Sequence, residues 1–113
     1  MNQETITNYI QDGIKHGLIR FYDDNKRIEY CHQKKSRNFT SPEEQVQAET
    51  YCRIILEYGY PAQRVKNFIT VTMGADKKEA DIIVYNDDEC LQPHILVECK
   101  KTRGFRARVY TSR

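Results

Sequence analysis

The 113-residue sequence lacks any apolar run approaching the roughly 18 to 20 residues that a membrane helix needs, and its mean hydropathy is −0.78. Its start, Met1-Asn-Gln-Glu-Thr, is polar and has no secretory pattern, so the chain is expected to be cytoplasmic with no membrane partner. It also lacks a strong charge of one sign. Eighteen Lys and Arg against sixteen Asp and Glu leave +2, too little to hold nucleic acid by bulk charge alone. There is no CxxC pair: Cys31, Cys52, Cys90 and Cys99 lie far apart and are expected to be buried thiols rather than disulfides. Cys90, His94 and Cys99 offer zinc-ligand atom types, but at a spacing that matches no common structural zinc pattern and without a fourth ligand. His16, His32 and His94 stand alone, which argues against a nucleophile–histidine relay. Repeats, low-complexity tracts and linkers are absent as well, so residues 1–113 are expected to form one small domain.

What is present is locally patterned. Ile6, Ile10, Ile14 and Leu18 recur every four residues and predict an amphipathic helix over 3–19, weakened in its later half by Gly13 and Gly17. Two aromatic runs, 19–22 and 28–31, flank a polar Asp23-Asp-Asn-Lys-Arg cluster and read as a hairpin. Ser41-Pro42-Glu43-Glu44 combines an N-cap serine, proline at the first helical position and glutamate at the third, and so opens a helix that should run to about residue 58. Gly59 and Pro61 then stop it. Strands are predicted over 65–73, 80–85 and 94–99, the last two bracketing a polar loop at 86–89. The expected fold is α+β (or α/β), a small mixed sheet flanked by helices, divided into an N-terminal segment over 1–39, a central region over 40–101 and a basic tail over 102–113.

Side chains alternate along a strand, so Glu98 and Lys100 should share one face of the last strand while Ile95, Val97 and Cys99 share the other. If strands 80–85 and 94–99 pair antiparallel, Asp81 falls near Glu98. Neighbouring carboxylates repel unless a positive centre lies between them, and hard oxygen donors suit Mg²⁺ or Mn²⁺. Such an ion, with a lysine beside it, fits phosphodiester hydrolysis. The ordinary alternative is a strand-end aspartate and an exposed Glu98–Lys100 ion pair, but three charges flanking the two most apolar strands are harder to explain as plain surface. On the helix, at about 100° per residue, Ala48, Tyr51, Cys52, Ile55 and Tyr58 form one stripe with Glu44 near its centre. Glu44 is thus either a third acid of the site or the capping residue, with Glu49, at the stripe's edge, as the substitute. Two basic clusters are present: Lys26, Arg27, Lys34, Lys35 and Arg37, and then six cations without an acid from residue 99 to 113. Either could contact nucleic acid, although such runs are commonly solvated faces.

The ordered segments Ser41-Pro-Glu-Glu-Gln-Val-Gln47, Glu57-Tyr-Gly-Tyr-Pro61, Glu79-Ala-Asp-Ile-Ile-Val-Tyr85 and Ile95-Leu-Val-Glu-Cys-Lys100 resemble the N-terminal nuclease domain of type I restriction enzyme R subunits, within the PD-(D/E)XK superfamily. The resemblance spans about residues 40–101. It implies a restriction-endonuclease-like core acting on double-stranded DNA with Mg²⁺ (or Mn²⁺). Asp81 and Glu98 would bind the metal, with the carbonyl of Cys99 as a further ligand. Lys100 would assist hydrolysis, Glu44 would support it, and Lys101, Arg103, Arg106 and Arg108 would hold the DNA backbone. Partners would be other restriction-modification subunits or a motor domain. Two departures are visible: Ala80 stands where the superfamily name has proline, and Gln47 where relatives often carry arginine. The superfamily core usually continues with another helix and strand, so the domain is expected to be C-terminally incomplete.

Overall fold

The computed structural model describes residues 3–99 and 105–109. Two helices and seven strands follow in the order α1 (Gln3–Lys15), β1 (Ile19–Tyr22), β2 (Arg27–Tyr30), β3 (Lys35–Asn38), α2 (Pro42–Leu56), a 3-10 turn (Ala62–Arg64), β4 (Val65–Met73), β5 (Asp76–Tyr85), β6 (Pro93–Cys99) and β7 (Phe105–Val109). The class is α+β, as expected. The sheet is not the single mixed one anticipated: there are two, β1-β2-β3 and β4-β5-β6-β7, and every pairing is antiparallel. The connections explain this, since parallel neighbours need a crossover of about a dozen residues or more, and the described links between paired strands are short turns.

α1 ends at Lys15, short of residue 19, where Gly17 turns into the left-handed region (φ 72°). The β1–β2 turn places Asp23, Asp24 and Asn25 there in succession, a conformation that Asp and Asn tolerate better than bulkier residues. β3 had no apolar alternation to announce it. It forms because β2 supplies its hydrogen-bond ladder, Tyr30 facing Lys35 and Arg27 facing Asn38. β7 likewise falls where only a basic tail was expected, paired with β6 so that Arg106 lies opposite Glu98 and Arg108 opposite Leu96 in the register.

α2 begins as its sequence dictates: Ser41 Oγ accepts from the Glu44 amide, and the Glu44 carboxylate accepts from the Ser41 amide. The helix is buried more widely than the expected stripe. Val46, Glu49, Thr50 and Ile54 join Ala48, Tyr51 and Cys52, while Tyr58 is 49% exposed. The reason is that α2 packs against α1 as well as against β4 and β6. Leu18, just before β1, and Ile19, Ile28 and Tyr30 of the first sheet meet Tyr51, Cys52 and Ile54 of α2 and Val65, Ile82, Val84 and Val97 of the second sheet in one core. A smaller cluster, Ala80, Ile83, Tyr85 and Leu96, is completed by Ile69, Val71 and Cys90. No helix among the described residues is long and apolar enough to cross a membrane.

Gly13 lies where α1 passes closely over Cys52 of α2. A Cβ there would collide with the Cys52 side chain, so this glycine permits a contact rather than merely weakening α1. Gly13→Leu should therefore lower stability by about 1–3 kcal/mol through overpacking, read as a lower midpoint in thermal denaturation by circular dichroism. Ile14→Ala, at a position 45% exposed, should change it far less.

Candidate active site

β5 and β6 pair antiparallel with Ile82 opposite Val97 as the last matched pair, so Asp81 and Glu98 are the next residues outward on adjacent strands. The antiparallel pairing expected from the sequence is therefore present. Asp81 has a specific tether: its Oδ2 accepts a hydrogen bond from the Cys99 amide at 2.8 Å. Among the described residues Oδ1 has no hydrogen-bond partner.

On the other side of Asp81 the β4 ladder is interrupted. Asn67 pairs with Ile82 and Ile69 with Ala80, but Phe68 between them is unmatched and left-handed (φ 57°). Such a backbone is costly for a bulky residue and persists only where its surroundings over-determine it. Here they do. Lys35 Nζ donates to the carbonyls of Phe68 (3.0 Å) and Asn67 (3.2 Å). Gln33 accepts from the Asn67 amide (2.6 Å) and donates to its carbonyl (3.1 Å). Gln47 Nε2, reaching from α2, donates both to Asn67 Oδ1 (2.8 Å) and to the carbonyl of Asp81 (2.7 Å). Asn67 is fully buried and Gln47 is 4% exposed, so these bonds lie inside the protein, where a lost partner is expensive.

A cavity of about 320 Å³ opens beside this bracket. Ser41, Glu43, Glu44 and Gln47 from the start of α2 form one wall, and Phe68, Asp81 and Cys99 the other. Glu44 thus does reach the site, but it is also the capping residue: its Oε1 accepts from the amides of Thr40 (2.9 Å) and Ser41 (3.0 Å) and from Ser41 Oγ (3.0 Å). Glu49 is buried on α2 without lining the cavity, and its charge reaches Cys52.

Glu98 does not line the cavity either. Its carboxylate meets Lys78 Nζ at 2.9 Å, with about a third of the side chain exposed. Lys100, Lys101 and Arg103 lie outside the described residues, and for Arg106 and Arg108 the structure gives their places in β7 alone. Among the described residues no three His, Cys, Asp or Glu side chains converge into a metal cage. Mg²⁺ does not need one, because it retains several waters and is commonly held by one or two carboxylates plus substrate phosphates. Asp81 and Glu44, both on the cavity wall, carry hard oxygen donors of that kind.

All four cysteines are free. Only Cys52 is fully buried, where burial of all four was expected; Cys99 is half-buried beside the Asp81 carboxylate, and desolvation first and that charge second push its thiol up to about 12. Burial chiefly, aided by Glu49, likewise raises Cys52 to about 12. The bracket residues Gln33, Lys35, Asn67 and Phe68 were not evident from the sequence. The one available signal was the break in alternation at Lys66-Asn67 in an otherwise regular strand.

With this geometry established, comparison with known families identifies the chain. The family model described as type I restriction enzyme R protein N terminus (HSDR_N) matches residues 42–107. This is more than half of the chain, and the protein belongs to that family. No match was found among curated proteins or among solved structures.

Gln47→Leu would leave Asn67 Oδ1 and the Asp81 carbonyl without their donor and should cost about 1–3 kcal/mol in urea denaturation. The thiols of Cys52 and Cys99 lead to a further prediction. Their folded values, about 12, lie above the ordinary 9.0, so their contribution to stability is complete below pH 9 and is lost as pH rises toward 12, where only the unfolded chain gives up the protons readily. The thermal midpoint should fall across that window, and a Cys52→Ala, Cys99→Ala protein should show a shallower fall.

Proposed function

We propose that this domain is a Mg²⁺-dependent endonuclease module that hydrolyses double-stranded DNA in the cytoplasm as part of a type I restriction enzyme R subunit, with Mn²⁺ able to substitute. The observation that carries the reading is Asp81: a carboxylate fixed by the Cys99 amide on the wall of a cavity that Glu44 also lines, within a chain of the R protein family.

A divalent ion held there would supply an acidified water and offset the charge on a phosphate. The chain's own residues prepare the place. The Cys99 amide and the Gln47 amide fix Asp81 at its side chain and its carbonyl, so the carboxylate needs no reordering when a ligand arrives. Glu98 would exchange its ion pair with Lys78 for the metal, a small loss because the pair is substantially exposed. Lys100, two residues along from Glu98, would assist the attack on phosphorus. Lys101, Arg103, Arg106 and Arg108 would contact backbone phosphates irrespective of base sequence. Target choice and translocation would fall to other restriction-modification subunits and a motor domain.

A second reading is a nuclease-like module that binds nucleic acid or another subunit without cutting. Two observations favour it: the commitment of Glu44 to the helix cap and of Glu98 to Lys78.

Calorimetric titration of Mn²⁺ separates the two. Under the nuclease reading, wild-type protein binds the ion and nicks supercoiled plasmid only in its presence, while Asp81→Asn with Glu98→Gln loses at least about tenfold in affinity, or about 1.4 kcal/mol, and does not nick. Equal Mn²⁺ binding by both proteins, with and without DNA, together with duplex binding indifferent to metal, would establish the non-catalytic module instead.

A further inference from the structure

The first basic cluster is not one surface. Arg27 donates to Asn38 Oδ1 (2.6 Å) and Tyr22 OH (3.4 Å) within its own sheet. Lys35 is spent on the carbonyls of Asn67 and Phe68. Lys26 and Lys34 sit exposed at turns. Arg37 is placed differently: its guanidinium carbon lies 3.9 Å from the centre of the Phe68 ring, the ring that forms part of the Asp81 cavity wall. One nitrogen donates to Glu79 Oε2 at 3.2 Å, and Glu79 is two residues before Asp81 on β5.

Three properties follow. The guanidinium has five N–H donors in a planar fork, and among the described residues only the Glu79 bond engages them. The Phe68 ring and Glu79 together restrict the guanidinium's position, so less order remains to be imposed when it binds an anion. The Glu79 pair is half exposed, 40% on the arginine side and 50% on the glutamate side, and such pairs are readily exchanged. The left-handed Phe68 backbone, held by Lys35, gives this stacking platform its position. A planar, charged fork at the edge of a carboxylate-lined cavity suits the two non-bridging oxygens of a phosphodiester.

We infer that Arg37 is a substrate-binding residue of this site, taking a backbone phosphate of a DNA duplex that lies across the Asp81 cavity, with Glu79 holding the guanidinium in place until DNA displaces it. The inference rests on the nuclease reading for the identity of its ligand, but its test needs neither metal nor cleavage.

The test is fluorescence anisotropy of a labelled short DNA duplex titrated with the full chain in EDTA, between about 50 and 200 mM salt. Arg37→Ala should weaken binding by about fivefold to twentyfold and reduce the salt slope by about one. Arg37→Lys should restore the slope without restoring full affinity, because charge returns without the fork. Glu79→Gln should tighten binding a few-fold by freeing the guanidinium, and that gain should disappear in the Arg37→Ala, Glu79→Gln protein. Should Arg37→Ala prove unstable, Arg37→Gln, which keeps most of the side chain's bulk, takes its place both alone and with Glu79→Gln. Unchanged slope in Arg37→Ala, a Glu79→Gln gain that persists without Arg37, or no duplex binding by wild type in EDTA would each overturn the inference. Absence of Mn²⁺ binding and nicking, with these results intact, would remove the nuclease reading alone.

Discussion

Asn67 is fully buried, and each of its polar groups must find a partner inside the protein, since an unmet amide in the core costs more than most single contacts return. That constraint organises the centre of the structure. It draws in Gln33 from the turn before β3, Gln47 from α2 and, at the backbone, Lys35 from β3. The bracket therefore joins the first sheet, the central helix and the second sheet at one point. Apolar packing brings these layers together, and the hydrogen bonds at Asn67 fix their relative position.

The candidate site depends on the same bracket. Gln47 holds the carbonyl of Asp81 with the amide nitrogen that also meets Asn67, and Lys35 holds the carbonyl of the left-handed Phe68. With β4 diverted at Phe68, Asp81 has no partner on that side, and its carboxylate turns to the Cys99 amide. The cavity lies where the regular ladder gives way, and the residues that interrupt the ladder are those that line it. This is how a small antiparallel sheet can present a carboxylate without burying its charge unpaired.

Charges near the cavity divide between structure and availability. Glu44 satisfies amides at the start of α2 with one oxygen, Glu98 faces Lys78, and Arg37 is poised between Phe68 and Glu79. The exposed Glu98–Lys78 and Arg37–Glu79 pairs contribute little to stability, whereas the amide bonds of Asn67 and Gln47 beneath them are buried.

By itself, the sequence determined what depends on neighbours along the chain. The capping box at Ser41 and Glu44, the span of β4 and the antiparallel β5–β6 hairpin follow from local rules of capping and alternation and are legible from adjacent residues alone, although α2 ends at Leu56, short of Gly59, and β5 begins at Asp76, four residues before its expected start, because β4 extends its ladder there. Tertiary structure decided what depends on residues far apart. A polar strand such as β3 exists only because β2 offers it a ladder, and Gly13 is needed only because Cys52 of another helix passes it. Likewise, Lys35 and Arg37, two residues apart in one basic cluster, acquire opposite roles because one meets buried carbonyls and the other the face of a half-buried aromatic ring. Local periodicity carries no information about which partner a side chain will meet, and in this protein the partner sets the role.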